Sequence, residues 1–118
     1  MDNSTSKDAE LEGKVTQWRV PFDELGKQII GTAATPLDQS TCQANECTLG
    51  NAVADSMLWY RTSGGSKVDG AIMNAGGIRA SIDEGEVSKS EVLTSFPFLN
   101  GVVELSFTGQ ELWDIFEG

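Results

Sequence analysis

Two copies of one helix-start signal constrain how the second half of this chain can fold. Ser88-Lys-Ser-Glu91 and Thr108-Gly-Gln-Glu111 both have capping-box spacing, in which the first and last residues cap each other's backbone amides. They predict a short helix that ends before Pro97 and a last helix over "ELWDIFEG". The apolar run at 102–107, between the two helices, is predicted to be a strand.

The first half of the chain shows the same alternation of short helices and strands. Apolar residues recur at spacings of three and four, namely Trp18, Phe22, Leu25 and Ile29. This pattern predicts an amphipathic helix that starts or kinks at Pro21. A strand over 31–37, a helix capped by Thr48 and a strand over 68–73 follow. The predicted fold class is therefore α/β or α+β, with a mixed sheet and flanking helices.

The charge balance limits the partners and the chemistry of the chain. Its 118 residues include 18 acidic and 8 basic side chains, a net charge of −10, and no histidine. Because the basic residues are scattered, nucleic acid and anionic membranes are not expected partners, and no apolar run is long enough for a membrane span. The absence of histidine excludes Ser-His-Asp and Cys-His catalysis and any His-ligated metal. No metal or cofactor is predicted in this chain.

The two cysteines, Cys42 and Cys47, lie in "CQANEC". This spacing differs from a CxxC redox pair, and no second pair completes a zinc site. Two alternatives remain. An oxidised pair closes a short loop that stabilises the fold by about 2 kcal/mol, whereas two free thiols are typical of a cytosolic protein.

The stretch "AIMNAGGIRASID" contains the strongest candidate for a binding site. The predicted strand stops at Asn74, and Gly76 and Gly77 permit positive φ values and a close approach of backbone amides to a ligand. Arg79 is always protonated and can hold a phosphate or carboxylate bidentately, while the Asn74 amide donates a further hydrogen bond. Together these residues predict a small anion site.

Two alternatives stay open from the residues alone. The same stretch is also typical of a plain glycine turn in which Arg79 pairs with Asp83 or Glu84 at the surface. In "FPF", Phe96 and Phe98 either both fill the core, or one of them is exposed as a platform for stacking.

Three motifs in one order resemble a known family. "ECTLGNAVADSM", "IMNAGGIRASID" and "VLTSFPFLNGVVELSFTGQEL" together look like the C-terminal, substrate-binding domain of the 5'-nucleotidase family. The resemblance covers Cys42 to Gly118, and "WRVPFDELGKQIIGTA" resembles the segment that joins the family's catalytic domain to this one. Residues 1–12 are polar and charged without periodic apolar positions, which predicts a flexible tail. The resemblance implies an inter-domain helix or linker with the first strand at 13–41 and a partial C-terminal domain at 42–118.

The resemblance also implies a function and a set of residues. The family comprises secreted or cell-surface enzymes that remove phosphate from nucleoside monophosphates. Asn74 and Arg79 match family residues that contact phosphate, Gly76 and Gly77 match the glycines of that motif, and Phe98 matches the first of two rings that sandwich the base. An AMP-like nucleotide or nucleoside, weakly bound, is the implied partner.

Some features match the family, and others depart from it. Cys42 and Cys47 match a disulfide of animal members. Ala75 stands in place of the first glycine of the family's triple, and residues 43–45 lack the arginine that animal members carry there, which removes one phosphate-binding cation. The chain also ends before the family's second stacking ring and the acidic residue expected to hold the ribose.

The family's catalytic domain carries two divalent ions on Asp, His and Asn ligands, and this chain has no matching motif. We therefore expect a nucleotide-recognition portion of a secreted or cell-surface phosphohydrolase that is inactive by itself, with its signal outside this chain. The alternatives are a non-enzymatic secreted binding protein on the same scaffold and a truncated fragment without function. Sheet edges that an absent half would cover also predict self-association.

Overall fold

The computed structural model describes residues 6–117 and combines helices with an antiparallel sheet. The helices are α1 (Ala9–Gly26), α2 (Thr48–Ser63), α3 (Lys89–Ser95) and α4 (Gly109–Glu117), and the strands are β1 (Ile29–Ala33) and β2 (Gly85–Ser88). The predicted fold class, which mixes helices and strands, is confirmed. Within the described residues the sheet has two strands.

The sheet leads directly into α3. β1 and β2 pair antiparallel, with Ala33 opposite Gly85, and Gly85 has a φ of +116° that suits glycine at the start of β2. Ser88 ends β2 and caps α3. The Ser88 amide donates to Glu91 Oε2 at 2.7 Å, and the Glu91 amide donates to Ser88 Oγ at 3.3 Å. The predicted capping box is confirmed, and it couples the end of the sheet to the start of a helix.

A small apolar core holds these elements together. Its buried residues come from β1, α2, the segment before β2 and β2 itself, and they are Ala33, Leu49, Ile78, Ile82 and Val87. An isolated antiparallel bridge, outside the two strands, pairs Leu37 with Ile82. Since Ile78 and Ile82 belong to this core, the segment that carries Arg79 is anchored on both sides.

Two predicted strands are wrong. Residues 68–73 and 102–107 have no strand structure, and they line an open groove of about 700 Å³ together with α2 and α4. A strand requires a neighbour for its backbone hydrogen bonds, and neither segment is paired with one within residues 6–117. The apolar pattern indicates only that a segment is able to form a strand. Whether the strand forms depends on a neighbouring segment to which it can pair.

α1 begins earlier than predicted and continues through Pro21. The Asp8 carboxylate caps it by accepting from the amides of Glu10 and Leu11, at 2.9 and 3.0 Å. Of the two predicted alternatives, a helix that starts at Pro21 is therefore wrong, because Pro21 lies inside α1. Residues 9–12 of the predicted tail are helical, while residues 1–5 lie outside the described part. α1 touches α3 where Gly26 lies against Ser90. No helix in 6–117 has the length and apolar character needed to cross a bilayer.

Candidate functional site

The loop at 74–79 is held by backbone hydrogen bonds at both ends. A 3-10 turn spans Ala75–Gly77, with the Gly77 amide donating to the Asn74 carbonyl at 3.0 Å. Ile78 is buried in the core, and the Arg79 amide donates to the Ser95 carbonyl at 2.8 Å. The loop is therefore positioned by the core and by the C-terminal end of α3.

The glycines of this loop matter because they have no side chain, and not because they adopt unusual backbone angles. The expectation of positive φ is wrong, because the described glycines with positive φ are Gly65 and Gly85. A Cβ on Gly77 would lie 2.6 Å from Met73 Cε and 3.3 Å from Asn74 Oδ1. A Cβ on Gly76 would have its nearest atom at 3.4 Å. Gly77 thus permits a close approach of the Met73 and Asn74 side chains, whereas Gly76 is less restricted.

The two polar side chains of the loop are exposed and have no partner within residues 6–117. Arg79 forms no ion pair there, so the alternative in which it pairs with Asp83 or Glu84 does not occur. The Asn74 side chain likewise makes no hydrogen bond within the described chain. Both retain their donors for a ligand.

The two rings of "FPF" lie in different environments. Phe96 packs against the core, and Phe98 is 55% exposed. Phe98 follows Ser95 by three residues, so its Cα lies within about 11 Å of the Ser95 Cα. Because Ser95 accepts the hydrogen bond from Arg79, the exposed ring and the exposed guanidinium belong to neighbouring backbone segments.

Cys42 and Cys47 form a disulfide, so the alternative of two free thiols does not hold. Cys47, and not the predicted Thr48, is the N-cap of α2, and its Sγ accepts from the Gly50 amide at 3.1 Å. A Cβ on Gly50 would lie 2.7 Å from Cys47 Sγ and 3.9 Å from Ile78 Cδ1. The disulfide therefore packs closely against α2 beside the core residue that anchors the loop at 74–79.

Sequence reasoning missed a polar network around Asp38. Its carboxylate accepts from the Ser40 hydroxyl at 2.5 Å, the Ser40 amide at 3.2 Å and the Ser81 hydroxyl at 3.0 Å, while its amide donates to Thr48 Oγ1 at 2.7 Å. These hydrogen bonds, led by that from the Ser40 hydroxyl, hold the pKa of Asp38 below its ordinary value. The local signal was the Asp-Gln-Ser triplet, a typical Asx-turn, but the partners Ser81 and Thr48 come from distant segments.

A second missed contact crosses the groove. Arg61 on α2 forms an ion pair with Glu104, which lies 43 residues away in the chain. The hydrogen bond between them raises the pKa of Arg61 and lowers that of Glu104, to which Ser66 also donates. This groove is lined by none of the five predicted binding residues, so it is a separate surface.

The residues that the structure describes do not fit a two-metal centre. Within residues 6–117 no group of three or more acidic or cysteine side chains is arranged to hold a metal ion, and the sequence contains no histidine. The loop at 74–79 offers the Arg79 cation and the Asn74 side-chain amide, and the exposed Phe98 ring lies on the backbone segment that Ser95 joins to Arg79. Such an arrangement suits recognition of a planar, anionic ligand.

Comparison with known proteins gives one consistent result. The family described as "5'-nucleotidase, C-terminal domain" matches residues 29–118. An apyrase of Anopheles gambiae is 32% identical over 96% of this chain, and a 5'-nucleotidase of Mus musculus is 29% identical over 99% of it. The chain spans about a fifth of the length of these relatives, 20% and 22%.

A solved structure agrees with this assignment. The crystal structure of a 5'-nucleotidase precursor from Thermus thermophilus superposes on 79% of this chain, and on 18% of its own, with a TM-score of 0.63 and 29% sequence identity. The family match begins at Ile29 and so includes β1. The chain therefore belongs to the 5'-nucleotidase C-terminal domain family.

Proposed function

We propose that this chain is the nucleotide-recognition portion of a secreted or cell-surface phosphohydrolase that converts nucleoside monophosphates to nucleosides and phosphate. One observation supports this most. An exposed Arg79 without an ionic partner in residues 6–117 is joined through its amide to Ser95, three residues before the exposed Phe98. A cation can bind the phosphate of a nucleotide, and an aromatic ring can stack on its base.

The roles follow from the chemistry of each group. Arg79 and Asn74 bind the phosphate, the first by charge and two parallel hydrogen bonds, the second through its amide. Gly77 lets the Met73 and Asn74 side chains pack closely against the loop, and Gly76 leaves room beside this site. Phe98 stacks on the base. One-sided stacking contributes only about 1 to 3 kcal/mol, and the net charge of −10 opposes the approach of an anion. Binding by this chain alone is therefore weak.

Hydrolysis requires groups that these residues do not supply. Two divalent ions in a catalytic domain would provide the attacking hydroxide and stabilise the transferred phosphoryl group. We expect the purified 118-residue chain to release no phosphate from AMP above background. Metal-dependent release that a chelator abolishes would contradict this assignment.

The binding roles are tested by calorimetric titration of AMP and adenosine into the chain. Saturable binding of AMP in the millimolar range is expected, and Arg79→Ala should weaken it at least about tenfold while leaving adenosine unchanged. Phe98→Ala should weaken both ligands. The matched control is Lys67→Ala, which removes the same charge from an exposed residue and should change affinity by less than about twofold.

A second candidate function is favoured by the exposed apolar surface. Large apolar residues of 102–107 and α4 are exposed, including Val103, Leu105 and Phe116. Such a surface is typical of a protein that binds another protein, either a different partner or a second copy through its sheet edges. Absence of AMP binding at millimolar concentration, together with recovery of a stable complex, would favour this non-enzymatic role.

A further inference from the structure

The strongest unexplained feature of the molecule is an apolar stripe along α1. Its members alternate at spacings of four and three, a heptad pattern, and they are Leu11, Val15, Trp18, Phe22 and Leu25. They are between 45% and 73% exposed, although a stripe of this kind normally faces another helix. Within residues 6–117 nothing covers it, since the buried residue of α1 is Gly26 at its end.

The exposed surface area of the chain is also larger than that of a compact monomer, which indicates that part of this surface binds a partner. A compact monomer of 12.6 kDa exposes about 6,200 Å², and this chain exposes 9458 Å². The stripe contributes roughly 600 Å² of this excess, given its two aromatic rings and three aliphatic side chains. Two such stripes facing each other would bury at most roughly 1,200 Å², which is the lower end of the range for a specific interface.

The charges beside the stripe select the partner and its direction. In heptad terms Glu12 and Arg19 follow the core positions Leu11 and Trp18, while Lys14 precedes Val15. In an antiparallel pair of identical helices, Glu12 of each copy meets Arg19 of the other. In a parallel pair, Lys14 of one copy would face Arg19 of the other, which is repulsive.

We propose that α1 binds α1 of a second copy of this chain as an antiparallel two-helix coiled coil. The net charge of the whole chain opposes self-association, but α1 carries four carboxylates and two cations, a net charge of only −2. The ion pairs that Glu12 and Arg19 make within their own chain, to Lys7 and Asp23, lie at the exposed surface and are readily exchanged. Salt screens the remaining repulsion.

The test is sedimentation equilibrium of the full chain from low micromolar to several hundred micromolar at physiological salt. The wild-type chain should form a dimer, and Trp18→Glu should weaken it more than about tenfold by placing a charge in the apolar interface. Val20→Glu is the matched control, because Val20 lies on the opposite face of the same helix and is 57% exposed. It should shift the dissociation constant by less than about twofold. Circular dichroism checks that both variants keep their helix content.

Charge reversal tests the direction. Arg19→Glu brings two carboxylates together in the antiparallel pair, because Glu12 of the other copy then meets a second acid. This change should weaken the dimer about fivefold, and the double change Glu12→Arg with Arg19→Glu should restore it. In a parallel pair Arg19→Glu would instead strengthen the dimer. A wild-type monomer at all concentrations, a dimer that survives Trp18→Glu through its sheet edges, or a dimer strengthened by Arg19→Glu would each overturn the proposal.

Discussion

Single glycines show how closely the disulfide and the loop at 74–79 are packed. A Cβ at Gly77 meets the end of the flexible Met73 side chain, which can move away. A Cβ at Gly50 meets Cys47 Sγ, which the disulfide holds in place. The two substitutions therefore differ in what must yield, a methionine methyl group in one case and the covalent link beside α2 in the other.

Gly50→Ala is expected to destabilise the oxidised protein by about 1 kcal/mol, the balance of an overpacking cost of about 1–3 and a helical gain of about 0.5–1 kcal/mol. The loss should shrink when the disulfide is reduced, because Cys47 Sγ can then move. Urea unfolding with and without reductant measures both effects. Gly13→Ala, where a Cβ has no neighbour within 4 Å, is the control and should be neutral or stabilising.

The Asp38 network makes stability depend on pH. In the folded protein these hydrogen bonds lower the pKa of Asp38 below its ordinary value of 3.8. The unfolded chain therefore binds a proton at Asp38 more readily than the folded chain does. The stabilisation is therefore complete at neutral pH and is lost as pH falls below about 4. The urea midpoint of Asp38→Asn should be lower than that of the wild type at pH 7, and the difference should narrow at pH 3.

Asp55→Asn is the control for this pH dependence, because the Asp55 carboxylate on α2 makes no hydrogen bond within residues 6–117. Its urea midpoint at pH 7 should lie close to that of the wild type, because the substitution breaks no hydrogen bond of the described chain. If the difference in urea midpoint between Asp38→Asn and the wild type is larger at pH 3 than at pH 7, the lowered pKa of Asp38 is contradicted.

At the scale of whole elements, the capping boxes were predictable and the strands at 68–73 and 102–107 were not. Both boxes form as expected, at Ser88 and at Thr108, where the Thr108 amide donates to Glu111 Oε2 at 2.7 Å. A capping box involves four consecutive residues, so its partners are present in the local sequence. A strand needs a partner from elsewhere in the chain, which the apolar pattern does not identify.

The two boxes provide a matched pair of substitutions. Ser88→Ala should lower the free energy of unfolding by about 1 kcal/mol, because α3 continues from the sheet and packs on the core through Val92. Thr108→Ala should leave the unfolding midpoint unchanged and reduce only helix content, since α4 has no buried residue. Urea unfolding and circular dichroism separate the two effects. Equal losses of stability would show that α4 is part of the cooperative unit.

At the scale of the whole molecule, the chain is extended for its size. Its Cα radius of gyration is 18.7 Å, whereas a compact domain of this length has about 13.5 Å. The exposed area and the open groove have the same cause, because α1, α4 and the segment at 102–107 contribute little to the core. The small core supports the loop at 74–79 and leaves much of the chain uncovered.

The heat capacity of unfolding is expected to reflect this. An unfolded chain of this mass exposes about 18,000 Å², so the native monomer buries about three quarters of what a compact domain would bury. The heat-capacity change of unfolding should therefore be about 1.2 kcal/mol/K, compared with about 1.6 kcal/mol/K for a compact domain of this length. Calorimetry at low protein concentration, where monomers dominate, measures it. A value near that of a compact domain would mean that the apolar surfaces are covered within one chain.

The sequence alone determined the local features: the capping boxes, the helix after the cysteine loop, and the family to which the motifs belong. It also identified Asn74, Gly76, Gly77, Arg79 and Phe98, whose binding roles stay predictions. Only the tertiary structure showed that Phe98 is the exposed ring of "FPF" and that Gly77 lies against the Met73 and Asn74 side chains. It also showed that Asp38 is hydrogen-bonded to Ser81 and Thr48, which come from distant segments. The physical reason is range. Caps and turns involve residues within a few positions, whereas packing, pairing and burial depend on segments that meet only after the chain has folded.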